Sequence, residues 1–332
     1  MHRRSIAKTF IIVLTVLLFA VAVFIVLHFK QRSLDSGTSG TDSAGAQGMD
    51  SSEESYSTVK VNGKTYKYRS NLRTVLFMGI DKSGDLTQQD YTGYGGQADS
   101  IILFIIDPDT KEIKMFSVSR DTMMDIKVYD TDGNYLTTIN AQLALQYAYG
   151  DGMKRSSQLV KEDVSGLLFD IPIASYVTFD VGGVGPLTSA IGGVNVTVPE
   201  DDTWIDPSLT EGSSVNLSGS LAEAFVRQRN KEVLDGNNNR MQRQLVFMKA
   251  LFAKIKASGD FSGLYNTMTT TADGKYLSDV SADDMKKFMT YTLSDTVYTS
   301  PGTVTRGDEN AEFHTDFDKL YSMVLDLFYE EQ

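Results

Sequence analysis

The sequence predicts an α/β domain, a mixed central β-sheet flanked by helices, preceded by one N-terminal transmembrane helix. Three observations carry this expectation. Residues 9–29, TFIIVLTVLLFAVAVFIVLHF, hold no full charge and lie between Lys8 and Lys30. Residues 74–80 (TVLFMGI) and 100–106 (SIILFII) are nearly unbroken hydrophobic runs with β-branched residues, as central strands covered on both faces require. Beyond them, helix-period stripes alternate with further short apolar runs, so strands and helices are interleaved rather than segregated.

Taken in order, residues 1–8 are expected to form a short cytoplasmic N-terminus and residues 9–29 a membrane span. A helix rising about 1.5 Å per residue crosses a bilayer core with about 20 residues. No small-residue cleavage site follows, so the span is expected to be retained. Arg3, Arg4 and Lys8 precede it while Lys30 and Arg32 follow, and the expected orientation places everything after the span outside. Residues 30–57, from 33 onward mostly Ser, Gly and Asp, have little to bury and are expected to be a flexible stalk. The folded domain is expected over residues 58–332.

The charge separates the two parts. The chain has 31 Lys and Arg against 43 Asp and Glu, a net charge of −12. The five basic residues before Ser33 are matched by no acid, so the remainder carries −17. An acidic body of this kind excludes general affinity for nucleic acid. The absence of cysteine excludes disulfides, thiolate metal sites and cysteine nucleophiles, and His2, His28 and His314 are too scattered for a histidine metal cluster.

Within the domain, residues 113–118 (IKMFSV) form a third strand. The turn Asp107-Pro108-Asp109-Thr110-Lys111-Glu112 makes it an antiparallel hairpin with 100–106. Helical pattern is expected over 140–149, closed by Gly150, and over 157–169. Strands are expected over 174–179 and 194–198, the latter after Gly192-Gly193, and helices over 220–229 and 239–258. In the last, Met241, Leu245, Met248, Phe252 and Ile255 recur at spacings of four and three, so one stripe faces inward, and Gly259 caps its end. Helical pattern over 281–293 and 316–329 completes the chain.

Two groups of charged residues converge under this reading. If the second strand is antiparallel to the first and third, then Asp81, Asp99 and Ser119-Arg120-Asp121 share one sheet edge. Two carboxylates and an arginine there suit a hard cation and a phosphate, since Mg²⁺ takes oxygen ligands and shares them with phosphate oxygens. Ordinary polar strand ends are the alternative, because Asp is common in turns. The second group is Arg227, Arg229, Arg240, Arg243 and Gln244. From 227 to 244 the chain holds five basic and two acidic residues, a local +3 within the acidic body. Arg240, Arg243 and Gln244 are related by three and four, so they are expected on one face of a helix start, where dipole and guanidinium forks suit phosphate. A solvated basic face is again the alternative. Arg227 and Arg229, two apart, can serve one ligand only if their helix ends there.

Several short motifs then give a resemblance. Met78-Gly79-Ile80-Asp81, Ala98-Asp99-Ser100, Ser117-Val118-Ser119-Arg120-Asp121-Thr122, Ile139-Asn140-Ala141, Ile191-Gly192-Gly193-Val194, Leu217-Ser218-Gly219, Val226-Arg227-Gln228-Arg229 and Arg240-Met241-Gln242-Arg243-Gln244 occur in order over residues 71–258. In this the chain resembles the LytR-CpsA-Psr family of membrane-anchored phosphotransferases. The resemblance implies a three-layer domain that transfers an undecaprenyl-pyrophosphate-linked glycopolymer, such as teichoic acid or capsule, onto peptidoglycan as a phosphodiester. It implies Mg²⁺ held by Asp81 and Asp99, and phosphates held by Arg120, Arg227, Arg229, Arg240 and Gln244. The polyprenyl chain would lie between sheet and helices. Asp81, Asp99 and Arg120 become the expected catalytic set, with Asp81 able to take the acceptor's proton, and Arg243 joins the expected pyrophosphate contacts through its helix face. Phosphoryl transfer needs positioning and charge neutralisation more than a protein nucleophile, which agrees with the residues read on their own. The chain departs from the family pattern at Gln97, Asn237 and Ser189, where the family usually has Arg, Asp and Asp, with Asp235 a stand-in near Asn237.

Two function classes follow. One is a Mg²⁺-dependent glycopolymer phosphotransferase on the outer face of a bacterial membrane. The other is a non-catalytic module that binds or regulates lipid-linked wall polymers, and Gln97 is the residue that favours it.

Overall fold

The computed structural model describes residues 57–332 apart from 83, 231, 234, 235, 272, 308 and 309. The expected N-terminus, span and stalk therefore lie outside the described residues, residue 57 excepted, as does Asp235. Among the described residues no helix is long and apolar enough to cross a membrane.

The described chain opens with a hairpin, β1 (Thr58–Val61) and β2 (Lys64–Tyr68). Three long strands follow, β3 (Arg73–Asp81), β4 (Gln97–Asp107) and β5 (Glu112–Val118). A second hairpin, β6 (Met123–Tyr129) and β7 (Tyr135–Gln142), leads through a 3₁₀ helix (Leu143–Tyr149) into α1 (Lys154–Leu167). Next come β8 (Ser175–Asp180), α2 (Val184–Ala190), β9 (Val194–Thr197) and β10 (Ser214–Leu217). The helices α3 (Gly219–Arg227), α4 (Gly236–Ser258) and α5 (Phe261–Thr271) precede β11 (Tyr276–Ser278). The chain finishes with α6 (Ala282–Phe288), β12 (Thr292–Thr299), β13 (Gly302–Arg306), β14 (Ala311–Thr315), α7 (Phe317–Phe328) and β15 (Tyr329–Glu331).

The central sheet has the order β11-β8-β3-β4-β5-β12. The pairs β3–β4, β4–β5 and β11–β8 are antiparallel, whereas β3–β8 and β5–β12 are parallel, so the sheet is mixed as expected. Strand alternation then sorts the apolar runs onto two faces. On one face Leu76, Met78, Ile80, Ile101, Leu103 and Ile105 pack with Val160, Val164 and Leu167 of α1 and with Leu320, Val324 and Phe328 of α7. Burying each such side chain is worth about 1.5–3 kcal/mol, so this face carries much of the stability. On the other face Phe77, Ile102, Phe104 and Met115 look toward α4. The three layers follow from sheet residues that are apolar on both sides.

Three expectations need correction or refinement. The segment 140–149 is not one helix: residues 140–142 complete β7, and only Leu143–Tyr149 is helical, as a 3₁₀ turn. Pairing with β6, including Ile126 opposite Ile139, extends the strand against the local helical pattern. The segment 281–293 likewise breaks, with α6 ending at Phe288 and Thr292 opening β12, because the β-branched stretch finds the free edge of β5. Residues 194–197 do form a strand, but it pairs with β10 outside the central sheet. The stop of α4 is as expected, with Gly259 at φ +66°, a conformation that favours glycine.

Candidate functional site

One rim of the central sheet collects the first charged group. Because β4 is antiparallel to its neighbours, the end of β3, the start of β4 and the end of β5 meet, bringing Asp81, Asp99 and Arg120 together. A register break between Gly79 and Ile80 of β3 and their β4 partners leaves Asp99 as an unpaired extra residue. Such a bulge re-aims a side chain. Ala98 is thereby turned into the packed face, while Asp99 and Ser100 both line the opposite cavity.

The second group reaches this rim from α3 and α4. Helix α3 stops at Arg227, and Gln228 is extended with φ −64° and ψ 140°, which meets the condition for Arg227 and Arg229 to serve one region. Arg227 Nη2 donates to Asp81 Oδ1 at 2.6 Å and its Nη1 to Glu223 Oε1 at 2.9 Å. Glu223 was visible in the sequence as an i, i+4 partner of Arg227, although the motif reading passed over it. Arg240 Nη1 donates to Asp99 Oδ2 at 2.7 Å, and Nη2 to Asn237 Oδ1 at 2.8 Å. Arg120 Nη2 donates to Gln97 Oε1 at 2.7 Å, and Nη1 lies 3.2 Å from Asp99 Oδ1. The two departures at Gln97 and Asn237 therefore act as neutral acceptors that orient Arg120 and Arg240. Ser189 is exposed on α2, with its hydroxyl near Gly219.

Arg243 is not brought to this site. It is 1% exposed, and its guanidinium is consumed by protein partners: Nε donates to Phe225 O at 2.8 Å, Nη1 to Asp202 Oδ1 at 2.7 Å, and Nη2 to Gln228 O. A residue three positions from Arg240 is turned about 60° around the helix, enough for the carbonyls at the end of α3 to capture it. Arg243 thus clamps the turn that carries Arg227 and Arg229. Gln244 does reach the cavity while donating to Val226 O at 3.0 Å. Asp202, remote in sequence, gave no advance signal.

Behind the rim lies an apolar cavity of about 250 Å³ between sheet and helices. Its polar end holds Asp81, Asp99, Arg227, Arg240 and Gln244. Phe77, Phe104, Val177, Phe179, Phe247, Met248, Leu251 and Phe252 form its walls. From Asp81 to Val75 it follows β3 for roughly 20 Å. The stripe predicted on α4 faces the sheet, yet Met248, Phe252 and Ile255 face this space instead of filling it.

The electrostatics at the polar end are unfinished. Asp99 Oδ1, Arg120 Nε and Arg240 Nε are buried without hydrogen-bond partners among the described residues. Burial lowers the Arg240 pKa from its ordinary value, with Arg120 and Arg229 adding to that and Asp99 opposing it. Burial raises the pKa of Asp121, which the neighbouring Arg120, Arg229 and Arg240 pull back. Buried donors and an acceptor left open cost free energy unless a ligand meets them. An anion with several oxygens meets the arginines. Among the described residues no group of three or more His, Cys, Asp and Glu forms a metal cage. Asp99 Oδ1, without a hydrogen bond though 3.2 Å from Arg120 Nη1, and Asp81, bonded through Oδ1, are the two carboxylates that would fit a hard cation sharing its other positions with phosphate oxygens and water.

A family model described as the LytR_cpsA_psr family matches residues 36–312. The chain is 30% identical over 233 residues to a polyisoprenyl-teichoic acid–peptidoglycan teichoic acid transferase, TagV, of Bacillus subtilis, covering 64% of this chain and 53% of that protein. It is 27% identical over 243 residues to the corresponding TagU of Enterococcus faecalis, covering 71% and 72%. The chain thus spans about half the length of the B. subtilis relative. The crystal structure of B. subtilis TagV superposes with a TM-score of 0.57 at 23% identity, covering 78% of this chain and 97% of that one, which shows a shared fold.

Proposed function

The chain belongs to the LytR_cpsA_psr family, and from that premise we propose that it transfers a polyprenyl-pyrophosphate-linked glycopolymer, teichoic acid or a capsule-like polymer, onto peptidoglycan. The observation that carries this reading is the join between a long apolar cavity and a rim of arginines, of which Arg120 and Arg240 each keep a buried Nε without a hydrogen-bond partner among the described residues. A lipid pyrophosphate has the same division, an apolar tail and a polyanionic head.

In this reading the tail lies against Phe77, Phe104 and Phe252, and the pyrophosphate faces Arg120, Arg227, Arg229 and Arg240. The acceptor hydroxyl attacks the phosphorus next to the glycopolymer. A new phosphorus–oxygen bond forms, the bond to the bridging oxygen breaks, and polyprenyl phosphate leaves. The arginines neutralise charge that spreads over the phosphoryl oxygens. Asp81, held by Arg227, takes the hydroxyl proton. Mg²⁺, when bound, would be held by Asp81 and Asp99 and would neutralise pyrophosphate charge. Arg243 serves this site at one remove, through the turn after α3. We further propose that residues 9–29 anchor the chain with its domain outside the membrane. A phosphatase fused after Ser57 should then be active and one fused after Lys8 inactive.

The deciding experiment uses Arg240→Lys, which keeps the charge but loses the planar fork shared between Asp99, Asn237 and ligand. Transfer of radiolabelled polymer to peptidoglycan should fall on the order of a hundredfold. A parental rate would overturn the reading. Gln97, neutral and engaged with Arg120, is what favours a binding module without turnover. Tight donor binding by the parent chain with no transfer under any condition would establish that second reading.

A further inference from the structure

Exposed aromatic rings cluster on the far side of the rim from the cavity. Four of the large hydrophobic side chains most exposed among the described residues fall in two segments: Tyr91 (72%) and Tyr94 (76%) between β3 and β4, and Tyr135 and Leu136 in the β6–β7 hairpin. The two segments touch, since Thr92 Oγ1 donates to Tyr129 O at 3.0 Å. Tyr91 and Tyr94 are edge-to-face at 6.3 Å, Tyr129 and Tyr135 at 5.9 Å, and the Arg155 guanidinium lies 5.1 Å over the Tyr129 ring. The result is two ring pairs on adjoining segments, joined through Thr92, with one guanidinium stacked on the half-buried Tyr129.

This surface is built rigidly and next to the reaction rim. Gln89, buried, donates to Ala148 O at 2.9 Å and accepts from Tyr94 N at 2.9 Å, pinning its loop to the 3₁₀ helix. The loop closes on the end of β3 at Gly96, where φ is +95° and a Cβ would stand 2.9 Å from Ile80 Cγ2. The next residue, Gln97, holds Arg120. The hairpin starts two residues after Asp121, and Arg120 O and Thr122 O accept from Ala144 N and Leu143 N at its return. Both segments lean on the face covered by the 3₁₀ helix and α1, whereas the cavity lies on the other face.

We infer that Tyr91, Tyr94, Tyr129 and Tyr135, with Arg155, form a docking platform for the acceptor, an uncharged, hydroxyl-rich glycan strand. Tyrosines present a flat apolar face for the C–H side of a sugar ring and a polar tip for its hydroxyls, at low entropic cost. Charge selects the acceptor over the donor polymer. The segments 82–96 and 123–142 hold five aspartates against two lysines, which disfavours a polyphosphate chain but leaves acceptors for sugar hydroxyls. The geometry agrees, because donor tail and acceptor glycan then approach the rim from opposite faces. The identification of the glycan as acceptor rests on the transfer reading above.

The test is co-sedimentation of the detergent-solubilised full chain with sacculi stripped of wall polymer, run beside a thermal-shift titration with a short polyprenyl pyrophosphate. Paired replacement Tyr91→Ala and Tyr94→Ala should weaken sedimentation by about tenfold and leave the lipid response at the parental value. Tyr91→Phe with Tyr94→Phe, which keeps both rings, should retain most binding. Phe317→Ala, an exposed ring elsewhere, should change nothing. Parental sedimentation by the paired alanine variant overturns the platform, and so does a parent chain that ignores stripped sacculi. Loss of the lipid response in that variant overturns it too, since the tyrosines would then belong to the donor site. A parent chain that sediments through these tyrosines but ignores the lipid would keep the platform and remove the transfer reading.

Discussion

The two faces of the central sheet are drawn from the same strands and the same kinds of residue, yet one is filled throughout and the other is packed around Ile102 and Met115 but hollow beside them. Leu76, Met78 and Leu103 on the filled face are fully buried against α1 and α7. Phe77 and Phe104, their neighbours in sequence, are half-buried walls of a 250 Å³ cavity. Apolar side chains that border an unfilled space forgo the dispersion contacts made on the packed face. Smaller apolar cavities of about 150 Å³ stay dry and take apolar ligands. The lesson is that one face supplies the stability that the other withholds for binding.

The largest expected effect comes from emptying the filled face. Leu76→Ala should destabilise the domain by about 2–5 kcal/mol in denaturant unfolding. Phe104→Ala removes more atoms but should destabilise it less, because one side of the ring already borders the cavity. Equal losses would break the comparison. Adding volume sharpens it from the other direction. Val160→Phe, in the packed layer, should cost about 1–3 kcal/mol. Val177→Phe, on the cavity wall, should leave the melting temperature unchanged or raised, while weakening the response to a polyprenyl pyrophosphate.

A smaller effect depends on pH. Asp163 on α1 has its carboxyl pushed up to about 7 by burial, with Glu162 adding to this and Lys127 opposing it, and its Oδ2 lacks a hydrogen-bond partner among the described residues. Between about pH 4 and pH 7 the folded chain keeps a proton that the unfolded chain releases. Stability from this group is therefore complete below about pH 4 and is lost as pH rises to 7. Asp163→Asn should raise the melting temperature at pH 8 and flatten its pH dependence. An unchanged profile would refute this assignment. The smallest stability change is expected at the mouth of the hollow face. Arg227, 39% exposed in its side chain, pairs with Asp81 and Glu223 where water screens them, so Arg227→Ala should cost about 0–1 kcal/mol. Its effect should appear in donor binding instead, and a large loss of stability would make it a structural residue.

Much of this arrangement was legible before the coordinates. The apolar runs at 74–80, 100–106 and 113–118 marked three strands, and the Asp-Pro turn made the last two an antiparallel hairpin; the condition that the first also runs antiparallel to the second, which the structure meets, brings Asp81, Asp99 and Arg120 to one rim. The stripe on α4 named the residues that face the sheet. Short elements were less legible: β6, β7 and β12 have ambiguous local pattern, and each forms because a partner edge is available. Arg243 was misplaced for a related reason. Helical spacing put it near Arg240, while the carbonyls that capture it end a different helix.

Residue chemistry and periodicity determined the layered α/β class, the acidic body and the hairpin at the rim, while the family came from the resemblance of short motifs. These follow from near-neighbour relations along the chain, which periodicity encodes. Only the tertiary structure decided that Asp99 is aimed by a bulge, that Arg243 is a buried clamp, and that the stripe of α4 borders a void. Such outcomes depend on which distant groups compete for the same carbonyl, strand edge or volume, and no local pattern records that competition.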